Sequence, residues 1–229
     1  MHIERLSLLQ GAERARGLVV IIDVLRAATT AAYALDLGAE RIIPTDSVEE
    51  ALRLRELHPE WLLMGERGGR RLEGFDLGNS PWELRSRELK GRTIIHATSS
   101  GTRGITHALG NAEVLFAAFV NAEPTARYIS WKQPKRVSLV AMGEEALRPA
   151  LEDELCAQYI EALLRGGRPN FNEMKKRILS APSSSKFFDP RQPQYHPEDL
   201  EMALQLDRFS FVMKVERGYL PYIVRVYPP

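Results

Sequence analysis

The hydrophobic positions of this chain gather into short continuous runs separated by longer segments of mixed character. Leu18-Val19-Val20-Ile21-Ile22 is apolar at every position, the pattern of a strand covered on both faces of a parallel sheet, and it stops at the polar Asp23. Further runs follow at Arg41-Ile42-Ile43-Pro44, Trp61-Leu62-Leu63-Met64, Thr93-Ile94-Ile95, residues 114–118 and residues 137–141. Between them, residues 27–37 are Ala-rich and end at Gly38, placed for a left-handed C-cap, while Ser47 and Glu50 match a capping box that opens a helix running to about Leu57. Alternation of strands with crossover helices from Leu18 to Met142 predicts an α/β fold with a parallel sheet.

A helix is predicted over residues 151–164, closed by Gly166-Gly167. Beyond it the composition shifts toward Pro, Ser and Lys, and Ala181-Pro182-Ser183-Ser184-Ser185 is expected to be a mobile loop. Residues 209–213 and 222–226, around Gly218, alternate as a hairpin or as two sheet-edge strands. There are no internal repeats. The expectation is one α/β domain over residues 1–229, with a smaller C-terminal subdomain from about residue 167 left open.

Composition narrows the function classes. With 229 residues, 44% hydrophobic and 27% charged, the chain resembles ordinary globular proteins and can build a sizeable core. Lys plus Arg number 31 against 30 Asp plus Glu, a net charge of +1 that offers no general field for polyanions and argues against nucleic acid as the main partner. The single cysteine, Cys156, excludes an intramolecular disulfide and a cysteine-rich metal knuckle, and reads as core. Met1-His2-Ile3-Glu4-Arg5 lacks a signal-peptide stretch, and no apolar run approaches the roughly 20 residues of a membrane span. The expectation is a soluble cytoplasmic protein without a membrane partner, of a size compatible with a homo-oligomer.

In open parallel sheets ligands collect beyond the carboxyl ends of the strands, so the residues after each run are the candidates. The first run delivers Asp23, with Arg26 three residues later. Such an Asp suits a hard cation or can act as a nucleophile toward phosphorus; it also serves as a helix N-cap. The third run leads into residues 65–81, seventeen residues with five glycines and four acidic or amide residues. Glu66, Asp76 and Asn79 are candidate oxygen ligands there, Arg67 offers a fork for an oxyanion, and Arg70 and Arg71 read as solvated charges. After the fourth run, Ser99-Ser100-Gly101-Thr102-Arg103 forms a hydroxyl-rich turn into a helix, suited to cradle an anion without matching a Walker loop.

Glu152-Asp153-Glu154 complement a helix dipole, with Glu152 or Asp153 also a candidate for metal or substrate contact. No His-Glu-x-x-His pair exists. His96 lies near Ser99 and Ser100, which admits a Ser-His arrangement although no Gly-x-Ser-x-Gly elbow is present; a packed strand-end histidine is the simpler reading.

Residues 22–30, Gly65-Glu66-Arg67-Gly68-Gly69, residues 74–81 (Gly-Phe-Asp-Leu-Gly-Asn-Ser-Pro) and Ser100-Gly101-Thr102-Arg103 together resemble the 2-phosphosulfolactate phosphatase family in order and spacing. Phe119-Val120-Asn121-Ala122 and residues 152–157 extend the similarity to about Leu164. Relatives commonly carry Thr-Asn before the Gly-Thr-Arg, where this chain has Ser99-Ser100.

The resemblance implies a three-layer α/β/α fold and a Mg²⁺-dependent phosphatase converting 2-phospho-3-sulfolactate to 3-sulfolactate and inorganic phosphate, in a route toward coenzyme M. On that reading Asp23, Glu66 and Asp76 bind Mg²⁺ and, with Arg26, form the catalytic set. The small anionic phosphorylated substrate is held by Arg67, Asn79, Ser80, Ser99, Ser100, Gly101, Thr102 and Arg103. Direct attack by water and an acyl phosphate on Asp23 remain alternatives. The competing functions are a phosphatase for another phosphorylated hydroxy acid, a phosphometabolite-binding protein without catalysis, and a serine hydrolase using His96.

Overall fold

The computed structural model describes residues 1–228. The chain runs through β1 (His2–Ser7), α1 (Leu8–Arg14), β2 (Leu18–Ile22), α2 (Ala27–Asp36), β3 (Arg41–Thr45), α3 (Val48–Leu57), β4 (Leu62–Arg67), β5 (Arg70–Arg71), α4 (Pro81–Leu84), β6 (Thr93–Ala97), α5 (Gly101–Ala108) and β7 (Glu113–Ala117). It continues through α6 (Ala122–Lys132), β8 (Arg136–Ala141), α7 (Leu151–Leu164), α8 (Phe171–Leu179), α9 (Pro182–Ser185), α10 (Pro197–Ala203), β9 (Val212–Arg217) and β10 (Pro221–Val226). The strands line up in one sheet in the order β1-β8-β2-β7-β9-β10-β3-β6-β4-β5.

The uninterrupted apolar runs take the most covered places. All five residues of β2 are buried, between parallel partners β8 and β7, and all five of β6 are buried between β3 and β4. Helix α5 packs against both α1 and α2, while α6 and α7 pack together elsewhere. The parallel crossovers β1-α1-β2 and β7-α6-β8 lead in opposite directions along the sheet, and the right-handed rule then puts α1 and α6 on opposite faces, which gives the α/β/α layering. Ser47 accepts from the Glu50 N–H at 3.0 Å, as its spacing predicts, and opens α3.

Two parallel blocks are joined by the C-terminal hairpin. β9 runs antiparallel to β7, β10 antiparallel to β9, and β3 antiparallel to β10, so β3, β6 and β4 run opposite to β2 along the ladder. Five neighbour steps separate β2 from β6, and at about 20–25° of twist per step the second block is turned through about 100–125°. That rotation lets the carboxyl ends of β2 and β8 from one block, and of β4 and β6 from the other, open onto the same place.

Three expectations change. Residues 209–213 and 222–226 do enter a hairpin, but it occupies the middle of the sheet rather than an edge. The segment expected to be a mobile loop contains α9, with Ser184 fully buried and its hydroxyl donating to Ile178 O at 2.6 Å. The amino-terminal residues, which carry no continuous apolar run, form β1 beside β8. Cys156 is buried as expected, and among the described residues no helix is long and apolar enough to cross a membrane.

Candidate active site

Asp23 follows β2 directly and is 4% exposed. Its Oδ1 accepts from the Ala27 N–H at 3.0 Å, so the carboxylate braces the start of α2 while also lining a cavity. Gly101, first residue of α5, is pressed against its other oxygen: a Cβ there would lie 2.8 Å from Asp23 Oδ2 and 2.9 Å from the Phe116 ring. Only a residue without a side chain lets the start of α5 approach the end of β2 this closely. Glu66, at the end of β4, accepts from Ser99 N–H through Oε1 and from Gly69 N–H through Oε2, both at 2.8 Å.

Burial pushes the Asp23 carboxyl up to about 7, relieved in part by the Ala27 N–H and raised again by the Glu66 charge. Behind it, Asp153 joins the two strand ends by accepting from Val24 N–H at 2.7 Å and Gly143 N–H at 2.8 Å. Burial, and then the Asp23 charge, raise Asp153 well above the usual carboxylate range. Glu152 is raised by burial too and accepts from Ser183 Oγ at 3.0 Å. Glu154, the third acid of that run, accepts from Ser7 Oγ at 2.5 Å.

The cavity, about 50 Å³, is lined by Asp23, Arg26, Glu66, Asn79, Ser99 and Ser100, together with Glu144, Lys186 and Tyr195. Sequence reading supplied the first six of these as site residues. It missed Glu144, in the turn after β8, and also Lys186 and Tyr195, which carry no motif and arrive from a segment distant in sequence. Glu144 is held by Lys186 at 3.1 Å and Arg148 at 3.2 Å. Burial raises the Glu144 carboxyl, but these two cations outweigh it and leave the group below the ordinary value.

Several expected residues are spent elsewhere. Arg26 lines the cavity, yet its guanidinium is committed to Asp199 (2.7 Å), Gln194 O (2.9 Å) and Gly69 O (3.0 Å), and it stacks over the Tyr195 ring. Ser80 donates to Asp199 at 2.7 Å, and Thr102 shares hydrogen bonds with Thr98 that shape the turn. Ser100 donates to Gly143 O at 2.8 Å.

Asp76 is not brought to the cavity. Its Oδ2 meets Arg55 Nη1 at 2.5 Å and the Leu63 N–H at 2.8 Å, near the amino end of β4, because the loop doubles back along that strand. Arg70 and Arg71 are exposed, as expected of solvated charges. His96 is fully buried with Nε2 3.3 Å from Asn79 Oδ1, and burial pushes it down to about 3. Neither Ser99 nor Ser100 bonds it; their hydroxyls reach Glu66 and Gly143 O, so the serine–histidine arrangement does not form.

Arg67 and Arg103 line an adjoining, more open groove of about 550 Å³ that shares Gly68, Ser99 and Glu145 with the cavity. Their side chains are pinned by carbonyls: Arg67 by Glu66 O at 2.8 Å and Asp46 O at 3.3 Å, Arg103 by Ser99 O at 3.5 Å. Among the described residues neither forms an ion pair with a carboxylate.

Two carboxylates from different strands facing one cavity, one of them raised partly by the other, form a donor set that a hard divalent cation relieves. Mg²⁺ takes one or two protein carboxylates and fills its shell with water and phosphoryl oxygens, so Asp23 and Glu66 fit it. Among the described residues no group of three or more His, Cys, Asp or Glu side chains is arranged as a metal site, which matches the displacement of Asp76.

The sequence model of the family described as 2-phosphosulpholactate phosphatase matches residues 4–218. A protein of Bacillus subtilis (strain 168) named "Probable 2-phosphosulfolactate phosphatase" is 36% identical over 217 residues, covering 90% of this chain and 91% of its own. One of the same name from Caldanaerobacter subterraneus subsp. tengcongensis is 34% identical over 214 residues, covering 87% of this chain and 88% of its own. An α/β sheet with an acidic cavity at its strand ends, together with these matches, places the protein among the phosphoric monoester hydrolases. Within that class, the chain belongs to the 2-phosphosulfolactate phosphatase family.

Proposed function

We propose that the protein hydrolyses 2-phospho-3-sulfolactate to 3-sulfolactate and inorganic phosphate with Mg²⁺, as a cytoplasmic step in a route toward coenzyme M. The observation that carries this reading is the pair of adjoining compartments, one lined by Asp23 and Glu66 and the other by Arg67 and Arg103. A cavity of about 50 Å³ has room for a few water-sized groups, enough for a cation and a phosphoryl group but not for a whole substrate. The remaining carboxylate and sulfonate then extend into the groove, where two guanidinium forks without carboxylate partners receive them.

Asp23 and Glu66 would hold the Mg²⁺, which when bound supplies neutralising charge to the phosphoryl oxygens. The chain's own part is preorganisation. Backbone N–H groups of Ala27, Ser99 and Gly69 fix the two carboxylates before substrate arrives. Asp153 locks the Val24 and Gly143 backbones that flank the cavity, and Ser100 ties the α5 turn to Gly143 O.

Phosphate release from 2-phosphosulfolactate, measured with Mg²⁺ present and then chelated, tests the reading. Release that stops on chelation and returns with added Mg²⁺ is the expected result. Faster turnover of a phosphate monoester lacking the sulfonate would assign another phosphorylated hydroxy acid, and tight binding with no release would leave a binding protein.

A further inference from the structure

We propose that Lys186 is a binding residue for the phosphoryl group, exchanging its partner Glu144 for the phosphate when substrate enters. This rests on the phosphatase reading and adds to it a residue from outside the motifs.

The cavity lining has an excess of acid: Asp23, Glu66, Glu144 and Glu145 face only Arg26 and Lys186. An incoming phosphate dianion therefore needs every cation that can turn toward it. Arg26 cannot, because Asp199 and two carbonyls occupy its fork. The Lys186 ammonium touches a single carboxylate oxygen, Glu144 Oε1 at 3.1 Å, and otherwise rests over the Tyr195 ring 4.8 Å from its centroid. A lysine ammonium is a compact charge on a flexible stem, with three donors and no fixed plane, so it can turn between acceptors.

The exchange leaves Glu144 paired, and Glu152, the buried carboxylate that also feels the Lys186 charge, keeps its hydrogen bond from Ser183 Oγ. Glu144 is 41% exposed and is already shared with Arg148, whose Nη2 lies 3.2 Å from the other carboxylate oxygen. When Lys186 departs, Arg148 and water keep Glu144 satisfied, and little is lost from a partly solvated pair. Lys186 itself is 16% exposed, so its new charge-assisted bond forms where water screens poorly. Tyr195 fixes the track. Its hydroxyl packs against Gly69, where a Cβ would overlap it, and both Arg26 and Lys186 lie over its ring.

The test uses full-length Lys186→Met, Lys186→Arg and Glu144→Gln, with inorganic phosphate as the calorimetric probe in Mg²⁺ and steady-state kinetics on 2-phosphosulfolactate. Lys186→Met is expected to raise both the phosphate Kd and the KM by at least about tenfold, with Lys186→Arg recovering most of the loss. Glu144→Gln, which frees the ammonium in advance, is expected to lower the phosphate Kd. A merely structural lysine would lower stability or kcat and leave phosphate affinity unchanged. Unaltered phosphate Kd and KM in Lys186→Met, weaker phosphate binding in Glu144→Gln, or no phosphate binding by the wild type overturns the proposal. A wild type that binds phosphate through Lys186 yet releases none from the ester would overturn the phosphatase reading alone.

Discussion

Arg26 and Asp199 form a 2.7 Å ion pair across 173 residues of chain, with side chains only 3% and 0% exposed. Asp199 also accepts from Ser80 Oγ at 2.7 Å and the Trp82 N–H at 3.0 Å, so one carboxylate fastens the segment after Asp23, the loop before α4 and the start of α10. Removing one member of such a pair leaves the other charged and buried. Asp199→Ala is expected to cost about 3–5 kcal/mol in urea unfolding. Arg26→Lys should fail to restore full stability, because an ammonium cannot span Asp199, Gln194 O and Gly69 O together.

Asp23→Asn keeps an oxygen for the Ala27 N–H but removes the charge that faces the cavity. Turnover is expected to fall by at least about 10²–10³-fold, the several kcal/mol that a correctly held cation supplies, while the far-ultraviolet spectrum stays native. Retained wild-type kcat/KM would take Asp23 out of the chemistry.

His96 gives the fold an acid limit. The free side chain protonates near 6.5, whereas burial holds the folded imidazole down to about 3. Because the folded value is depressed, the stability linked to this residue is complete above about pH 6.5. It is lost as pH falls toward 3, at about 1.4 kcal/mol per pH unit. The difference in unfolding free energy between wild type and His96→Gln should therefore shift by about 2 kcal/mol between pH 7 and pH 5, against the wild type. A difference independent of pH would contradict a neutral buried imidazole.

Asp76, expected from sequence to bind metal, should behave as a fastener for β4. Asp76→Ala loses a partly exposed pair with Arg55 and a hydrogen bond from Leu63 N–H, so about 1 kcal/mol of stability should go. Phosphate release measured beside wild type should remain within about twofold.

What the sequence made legible was local. An apolar run that stops at a polar residue marks a strand end, and that pattern singled out Asp23, Glu66 and the Gly101 turn; the fold sets Asp23 and Glu66 on one cavity, with Gly101 against Asp23. The family motifs then matched nearly the whole chain. Asp76 misled because residues 68–77 return along β4, pairing Leu77 with Met64, so a neighbour in sequence ends up toward the opposite end of the strand. Arg26 and Ser80 lie where their motifs suggest, but a distant carboxylate, Asp199, claims both. Lys186 and Tyr195 were invisible for the same reason: what brings them to the cavity is tertiary packing of α9 and α10, and no short-range pattern encodes it.

The hairpin of β9 and β10 has a consequence for how the molecule is completed. Among the described residues it is the only bridge along the ladder between β7 and β3, yet it follows both in the chain, so the sheet stays open between the two parallel blocks until residues 212–226 arrive. A chain interrupted before Val212 would present two raw strand borders flanked by hydrophobic residues, an invitation to aggregate with other copies. The same interruption would leave the meeting place of Asp23 and Glu66 to α2 and α5, the helices that pack on strands of both blocks.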